Sequence, residues 1–279
     1  MPDPRTPLLL IHGLWLHASS WQPWLDLAAE HGYAPLAPGW PGEAATVEEA
    51  RRHPEAVAGL GVDDVTAHYA GIIRTLDSPP VVIGHSFGGL IAQKLLGDGL
   101  VRAAVAVDPA QIKGVKALPP AQLRAGLPVL GNPANRRRAV SLTAAQFAYG
   151  FGNALPREES DELHARFTVP SPGRPLFEAA FANFTRNSPV AVATGNAGRG
   201  PLLLISGQAD HTVPDVVTRS AYKLYGNSPA VTELKQFPDR GHSLVIDHGW
   251  PVVAGHVFQW LARQDLTGAD GHHDHREHS

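Results

Sequence analysis

Pro80-Val81-Val82-Ile83-Gly84-His85-Ser86-Phe87-Gly88 runs straight into Gly89-Leu90-Ile91-Ala92-Gln93-Lys94-Leu95-Leu96. The first part contains a short β-branched run of buried-strand length, and the second has the character of a helix. A serine on the turn between them, with glycine two residues before and two after, presents its hydroxyl as a nucleophile. Side chains at Gly84 or Gly88 would crowd such a strained turn. The turn also sets Ser86 at the positive end of a helix, where backbone N–H groups face an incoming oxyanion. With 28 glycines in 279 residues, the same pattern can arise as a Gly-rich β–α turn with a capping serine. The flanking strand and helix favour the nucleophile.

Outward from this centre the pattern alternates. Residues 8–11 read as a buried strand ending at His12-Gly13, followed by a helix from Ser19 or Ser20 to Glu30 that Gly32 closes. Residues 33–37 form a second, edge-like strand, and a short helix spans 47–52. Asp63 or Asp64 caps a helix with Val65, Tyr69, Ile72, Ile73 and Leu76 on one face. Later strands fall at 103–107, 202–205 and 232–237, with helices over 216–225 and 252–261. Strands apolar throughout, alternating with helices, predict a parallel sheet covered on both faces, with its site at the carboxyl ends of the strands. Ser86, Asp108, Asp210, His242 and His12-Gly13 all fall just past such ends.

Residues 110–200 break the alternation with repeated prolines and helical fragments near 121–125, 142–149, 158–167 and 176–184. An insertion there predicts a helical cap over the pocket, packed by Phe147, Tyr149, Phe151, Phe177, Phe181 and Phe184. The expected organisation is a core of residues 1–109 and 201–266, a cap of 110–200, and a disordered His-rich tail of 267–279.

Composition narrows the classes. Hydrophobic content of 43% with 18% charged residues is that of a globular chain, long enough to bury its own core. A net charge of −3, with no basic block beyond Arg136-Arg137-Arg138, argues against a nucleic-acid partner. Without cysteine there are no disulfides or thiolate metal sites. The first residues lack the apolar stretch of a signal peptide, and no run reaches membrane-spanning length, so a cytoplasmic enzyme is expected.

A serine hydroxyl becomes a useful nucleophile when a base takes its proton and a carboxylate holds that base in the right tautomer. Ile205-Ser206-Gly207-Gln208-Ala209-Asp210 offers an acid after one strand, and Phe237-Pro238-Asp239-Arg240-Gly241-His242 a base after the last. The order Ser86, Asp210, His242, behind Leu10-Ile11-His12-Gly13, resembles the α/β-hydrolase superfamily over residues 7–264. The resemblance implies the α/β-hydrolase fold: a mostly parallel sheet of about six strands, helices on both faces and a helical cap. The chain begins at what would be the superfamily's third strand, which is similar to the small branch of methyl esterases and hydroxynitrile lyases. Some members take the acid from the strand end occupied here by Asp108, which makes Asp108 the alternative to Asp210.

A tetrahedral intermediate needs two N–H donors, and the motif assigns them to Phe87 and Leu14. Trp15 is a candidate pocket residue. Among the fifteen histidines, His85 is expected to turn away from the nucleophile and pack, and His12 to brace the oxyanion loop. His248 and His256 read as surface or packing residues, and Asp239 and Asp247 as solvated loop charges. Trp21 and Trp24 share a buried helix face. The His-rich stretch from Gly271 to His278 can hold nickel or zinc weakly, but its terminal, polar character predicts an unstructured tail and no catalytic metal.

These residues point to a serine hydrolase that cleaves an ester or lactone of a small, fairly apolar molecule through an acyl-enzyme. No cofactor or metal is implied, and the expected partner is a small-molecule substrate, with no nucleic acid and no membrane. The alternatives are a C–C lyase, a cofactor-free perhydrolase or haloperoxidase-like enzyme, or a ligand receptor that keeps the triad. Hydroxynitrile lyases want a lysine near the histidine and a threonine in the oxyanion loop, where this chain has Gly241, Ser243 and Leu14. Dehalogenases and epoxide hydrolases use an aspartate where Ser86 stands.

Overall fold

A computed structural model describes residues 5–268. The first part runs β1 (Pro7–Ile11), α1 (Gln22–Glu30), β2 (Ala34–Leu36), α2 (Val47–Arg52), α3 (Val62–Ile73), β3 (Val81–His85), α4 (Phe87–Gly97) and β4 (Ala103–Val107). A mostly helical stretch follows: α5 (Pro120–Leu130), β5 (Ala139–Val140), α6 (Ala144–Gly150), α7 (Arg157–Phe167), β6 (Ser171–Pro172) and α8 (Arg174–Ala180). The chain then returns through β7 (Leu202–Gly207), α9 (Asp215–Leu224), β8 (Thr232–Phe237) and α10 (Trp250–Arg263).

Six strands pair in parallel in the order β2-β1-β3-β4-β7-β8, the α/β architecture that the sequence predicts. Successive side chains alternate between faces. Leu8, Leu10, Val81, Ile83, Val105 and Leu203 pack with residues of α1 and α10, including Trp21 just ahead of α1, Trp24 and Trp260. Leu9, Ile11, Val82, Ala104, Ala106 and Leu204 pack with residues of α3, α4 and α9. Burial on both faces is why these strands are apolar throughout. The edge strand β8 is half-buried, and its Thr-Glu-Leu-Lys-Gln-Phe sequence mixes polar and apolar residues accordingly.

Local differences from the sequence reading have specific causes. The chain enters α1 through a 3-10 turn, Ala18–Trp21, capped by His17 Nδ1 accepting the Ser19 N–H at 3.1 Å, rather than through a serine cap. The helix α3 starts after Gly61, whose N–H donates to Asp64 at 2.8 Å. The helix α5 continues to Leu130, well past residue 125. The antiparallel pair β5–β6 is too short to leave a periodic signal. Thr267 and Gly268 belong with the core rather than the tail: their carbonyls accept the Thr6 hydroxyl at 3.0 Å and the Thr6 N–H at 2.9 Å. Residues 269–279, with the His-rich run, lie outside the described residues. Among the described residues no helix is long and apolar enough to cross a membrane.

Two glycine substitutions should shift stability in opposite directions. A Cβ at Gly255 in α10 meets nothing within 4 Å, so Gly255→Ala should stabilise by about 0.5–1 kcal/mol. A Cβ at Gly88 would lie 2.1 Å from the Ile11 carbonyl oxygen, and Gly88→Ala should cost roughly 1–3 kcal/mol or more. Thermal unfolding of both variants beside wild type checks the signs.

Candidate active site

Backbone crowding builds the centre. Ser86, between β3 and α4, adopts φ 56° and ψ −120°, a conformation that L side chains rarely take. A Cβ on Gly84 would lie 2.0 Å from the Gly88 carbonyl oxygen, so glycine is required on the near side of the turn as well as the far side. At the end of β1, a Cβ on Gly13 would lie 2.8 Å from Ser86 Cβ and 3.2 Å from Phe87 N. The loop after β1 therefore lies directly against the serine turn. Among the described residues, neither the Leu14 N–H nor the Phe87 N–H has a hydrogen-bond partner.

The candidate base and acid, His242 and Asp210, come from the loops after β8 and β7. His242 is fully buried, and its Nδ1–H donates to Asp210 Oδ2 at 2.5 Å. Asp210 Oδ1 accepts the Thr212 and Val213 N–H groups at 2.6 and 2.8 Å. Asp108, at φ 41° after β4, stays 4.0 Å from His242 Nδ1 and instead accepts the Gly207 N–H at 2.6 Å. Asp210, not Asp108, thus holds the imidazole.

Burial lowers the His242 pKa to about 3, so the ring is neutral and able to accept a proton. Burial raises the Asp210 pKa, against the pull of the neighbouring Asp108 carboxyl and of hydrogen bonds from the Val213 and Thr212 N–H groups. Asp108 is pushed well above the carboxylate range, first by burial and then by the Asp210 charge. The two carboxyls thus share one negative charge. Asp210, with three N–H donors, carries it, and Asp108 keeps the proton. His242 Nε2 is buried without a partner among the described residues, so Ser86 Oγ is not hydrogen-bonded to it in this resting geometry. Such contacts tighten when substrate arrives.

Donor atoms of Asp108, Asp210 and His242 all lie within 4.8 Å of one another, the one such trio among the described residues. The Nδ1–H already sits against Asp210, and Asp210 Oδ1 is occupied by two amides. These donors form a proton-sharing cluster rather than a cation cradle.

The loop that carries His242 is fastened twice. His85 Nε2–H donates to the His242 carbonyl at 2.9 Å, and the ring centres of His85 and Phe151 each lie 4.6 Å from that of His242, Phe151 nearly perpendicular to it. His85 therefore packs, as expected, and also ties the serine turn to the base. Asp247 corrects the sequence reading: it is 1% exposed, pairs with Arg240, and accepts the Ser243 hydroxyl at 2.7 Å. Asp239 and His248 are exposed, and His256 is half-buried against Phe237.

A cavity of about 500 Å³ opens from Ser86, lined by Trp15, Phe87, Val115, Leu123, Leu176 and Val213, with Gln111, Lys116, Gln122 and Thr212 as polar points. Leu118, Leu123 and Phe184 are exposed where they border it. Trp15, at φ 66°, is held by its N–H on Ser171 Oγ at 2.6 Å and by Nε1–H on the Val140 carbonyl at 3.0 Å. The sequence reading missed Ser171 and Glu43, whose carboxylate is 2.7 Å from His12 Nε2, and placed Phe151 only in the packing of the cap rather than against His242. An isolated acid in a Pro-Gly loop carries no local signal for such a partner.

The model of the Alpha/beta hydrolase family matches residues 8–255, and the chain belongs to that family. No curated protein matches it in sequence. Among solved structures it is similar to a monoacylglycerol lipase from Paleococcus ferrophilus, at 20% identity over 95% of this chain and 96% of that one, with a TM-score of 0.61. A methylesterase from Arabidopsis superposes with a TM-score of 0.63, at 14% identity over 92% and 99% of the two chains. For polyneuridine aldehyde esterase the values are 0.62, 16%, 92% and 98%. At these identities the likeness is one of fold.

The acid assignment has a direct kinetic check. Asp210→Asn should lower turnover of an activated ester by about 10⁴-fold by favouring the wrong histidine tautomer. Asp108→Asn, which replaces a protonated acid by a neutral isostere, should give the smaller loss; a reversed order in steady-state kcat contradicts the assignment.

Proposed function

We propose that this protein is a carboxylic ester hydrolase acting on an ester or lactone of a small, fairly apolar molecule. The observation that carries this reading is the surroundings of Ser86. A serine held at φ 56° borders the cavity of about 500 Å³, and the unpartnered N–H groups of Leu14 and Phe87 belong to the two backbone segments that meet beside it. The His242–Asp210 pair, with Nε2 unclaimed, supports the same reading. The lipase and esterases with similar folds cleave esters by name, which agrees with it.

In this mechanism Ser86 Oγ attacks the ester carbonyl as its proton passes to His242 Nε2. Asp210 stabilises the imidazolium through Nδ1–H. The carbonyl oxygen becomes an oxyanion that accepts from the Leu14 and Phe87 N–H groups, each worth about 3 kcal/mol of barrier. Collapse returns the His242 proton to the leaving alcohol and leaves an acyl-Ser86. Water, deprotonated by the same Nε2, then releases the carboxylic acid and restores the serine. Residues 110–200 act as the cap: Leu123, Leu176, Phe184 and the Gln111–Gln122 pair border the space where acyl and alcohol groups would lie. Trp15 is the wall contributed by the oxyanion loop.

A fluorophosphonate probe should label wild type and leave Ser86→Ala unlabelled, and the same substitution should abolish hydrolysis of p-nitrophenyl esters. Because burial holds His242 at about 3, the base stays neutral as pH falls through the usual histidine range. The acidic limb of kcat/KM should therefore lie well below about 6.5. A limb at or above that value argues against His242 as the base.

A further inference from the structure

Ester cleavage as proposed above makes no use of a second buried acid–base pair beside the serine turn. His12 Nε2 lies 2.7 Å from Glu43 Oε2, with the two side chains only 5% and 7% exposed. The other ring nitrogen, Nδ1, donates to the Gly13 carbonyl oxygen at 2.8 Å. Trp40 stacks on the imidazole at 5.7 Å and sends its Nε1–H to the His12 carbonyl at 2.9 Å. Glu43 is itself anchored, since Oε1 accepts the Ala18 N–H at 3.0 Å and lies 3.5 Å from His17 Nε2. Removing a carboxylate and an imidazole from water is costly, and a nonpolar filling could pack the same space.

The geometry gives the pair a use. The Gly13 carbonyl and the Leu14 N–H are the two ends of one trans peptide and point in opposite directions. Holding the carbonyl toward His12 therefore aims the Leu14 N–H the other way, in the loop that lies against Ser86 and Phe87. A cationic donor on the carbonyl also polarises the peptide and strengthens its N–H as a donor. We propose that the Glu43–His12 pair is a positioning device for the oxyanion site, one that fixes the plane of the Gly13–Leu14 peptide and strengthens the Leu14 N–H. This rests on the reading of Ser86 as an ester-cleaving nucleophile.

The charge states agree. Burial opposes a cation on His12, but the Glu43 charge, its contact and the Gly13 carbonyl outweigh burial and raise the ring above its ordinary value. Burial likewise opposes the Glu43 anion, and His12, the Ala18 N–H and His17 outweigh it. The other titratable groups facing the pair are His17 on the same loop, His85 on the serine turn and Tyr69 on α3. Burial and neighbouring histidines keep His85 neutral, and burial with the Glu43 charge keeps the Tyr69 hydroxyl protonated. Glu43 is thus the counter-charge of the His12 cation.

Three variants separate geometry from charge. His12→Asn keeps a neutral donor for the Gly13 carbonyl, His12→Ala removes the donor, and Glu43→Gln removes the counter-charge. On p-nitrophenyl butyrate, kcat should fall on the order of 100-fold in His12→Ala and by less in the other two. KM should stay within about twofold throughout. Affinity for an aryl trifluoromethyl ketone, whose serine adduct places an oxyanion at the same donors, should fall in step with kcat/KM. Losses carried by KM, or unchanged ketone affinity in His12→Ala, overturn the proposal. Histidine-selective 15N NMR of the wild-type protein tests the pair without turnover and without relying on a variant that folds. His12 should be an imidazolium in wild type at neutral pH and a neutral ring in Glu43→Gln, and a neutral ring in wild type overturns the proposal. Ser86→Ala in the same ester assay reports separately on the hydrolase reading: surviving hydrolysis sinks that reading, while the NMR still reports on the pair.

Discussion

The close approach of three backbone segments around Ser86 is the constraint on which the rest of the structure depends. The turn folds Gly84 against Gly88, Gly88 against the end of β1, and Gly13 against the serine itself, all at distances that exclude a Cβ. Ser86, set among these glycines, carries a side chain and still takes a positive φ. A conformation of that kind costs of order 1–3 kcal/mol. The helix that leaves the turn offsets this, because Leu90, Ile91 and Leu95 of α4 are fully buried, each worth about 1.5–3 kcal/mol relative to exposure. Within this turn the strain falls on Ser86 and is held by a helix that cannot move away without exposing the core.

Around that fixed point, burial and partners shift the pKa values of three histidines in two directions. His242 has a carboxylate on Nδ1, but complete burial dominates and leaves it a neutral base. His85, beside Ser86 in sequence, is neutral by burial and serves as a strut to the His242 loop. His12 is nearly as buried, yet Glu43 tips it the other way. The carboxyls divide in the same manner: Asp210 has three N–H donors and Asp108 one, so a single charge settles on Asp210. Desolvation sets the scale throughout, and the count of partners decides the sign.

What was legible in the sequence follows from the range of each interaction. The sheet was legible because a strand buried on both faces must be apolar at every position, as in residues 8–11 and 202–205. Ser86, Asp210 and His242 could be singled out as candidates because each follows a strand end beside a glycine. Glu43 and Asp247 were not. Each is a single acid in a polar loop, and only the fold brings His12 to one and Arg240 to the other. The β5–β6 pair escaped because two residues per strand have no period to detect.

The separation that the sequence suggests, with chemistry in the core and selectivity in residues 110–200, is less clean in three dimensions. The loop proposed to hold the oxyanion continues from Gly13 and Leu14 into Trp15–Leu16–His17, and that segment pairs with the stretch at the end of α7. His17 N–H donates to the Phe167 carbonyl and Val169 N–H to the Trp15 carbonyl, each at 3.0 Å, with Leu16 and Thr168 bridged antiparallel. Ser171 then holds the Trp15 N–H, and Val140 its indole. Trp15 itself is strained at φ 66°, so these contacts from the insertion are what hold it there. A displacement of residues 167–171 would therefore move the cavity wall and, through one residue of backbone, the Leu14 N–H. On the proposed mechanism, substrate fit and oxyanion geometry are coupled by the chain itself: residues 110–200, which line much of the cavity, also fasten one end of the loop whose other end His12 holds through the Gly13 carbonyl.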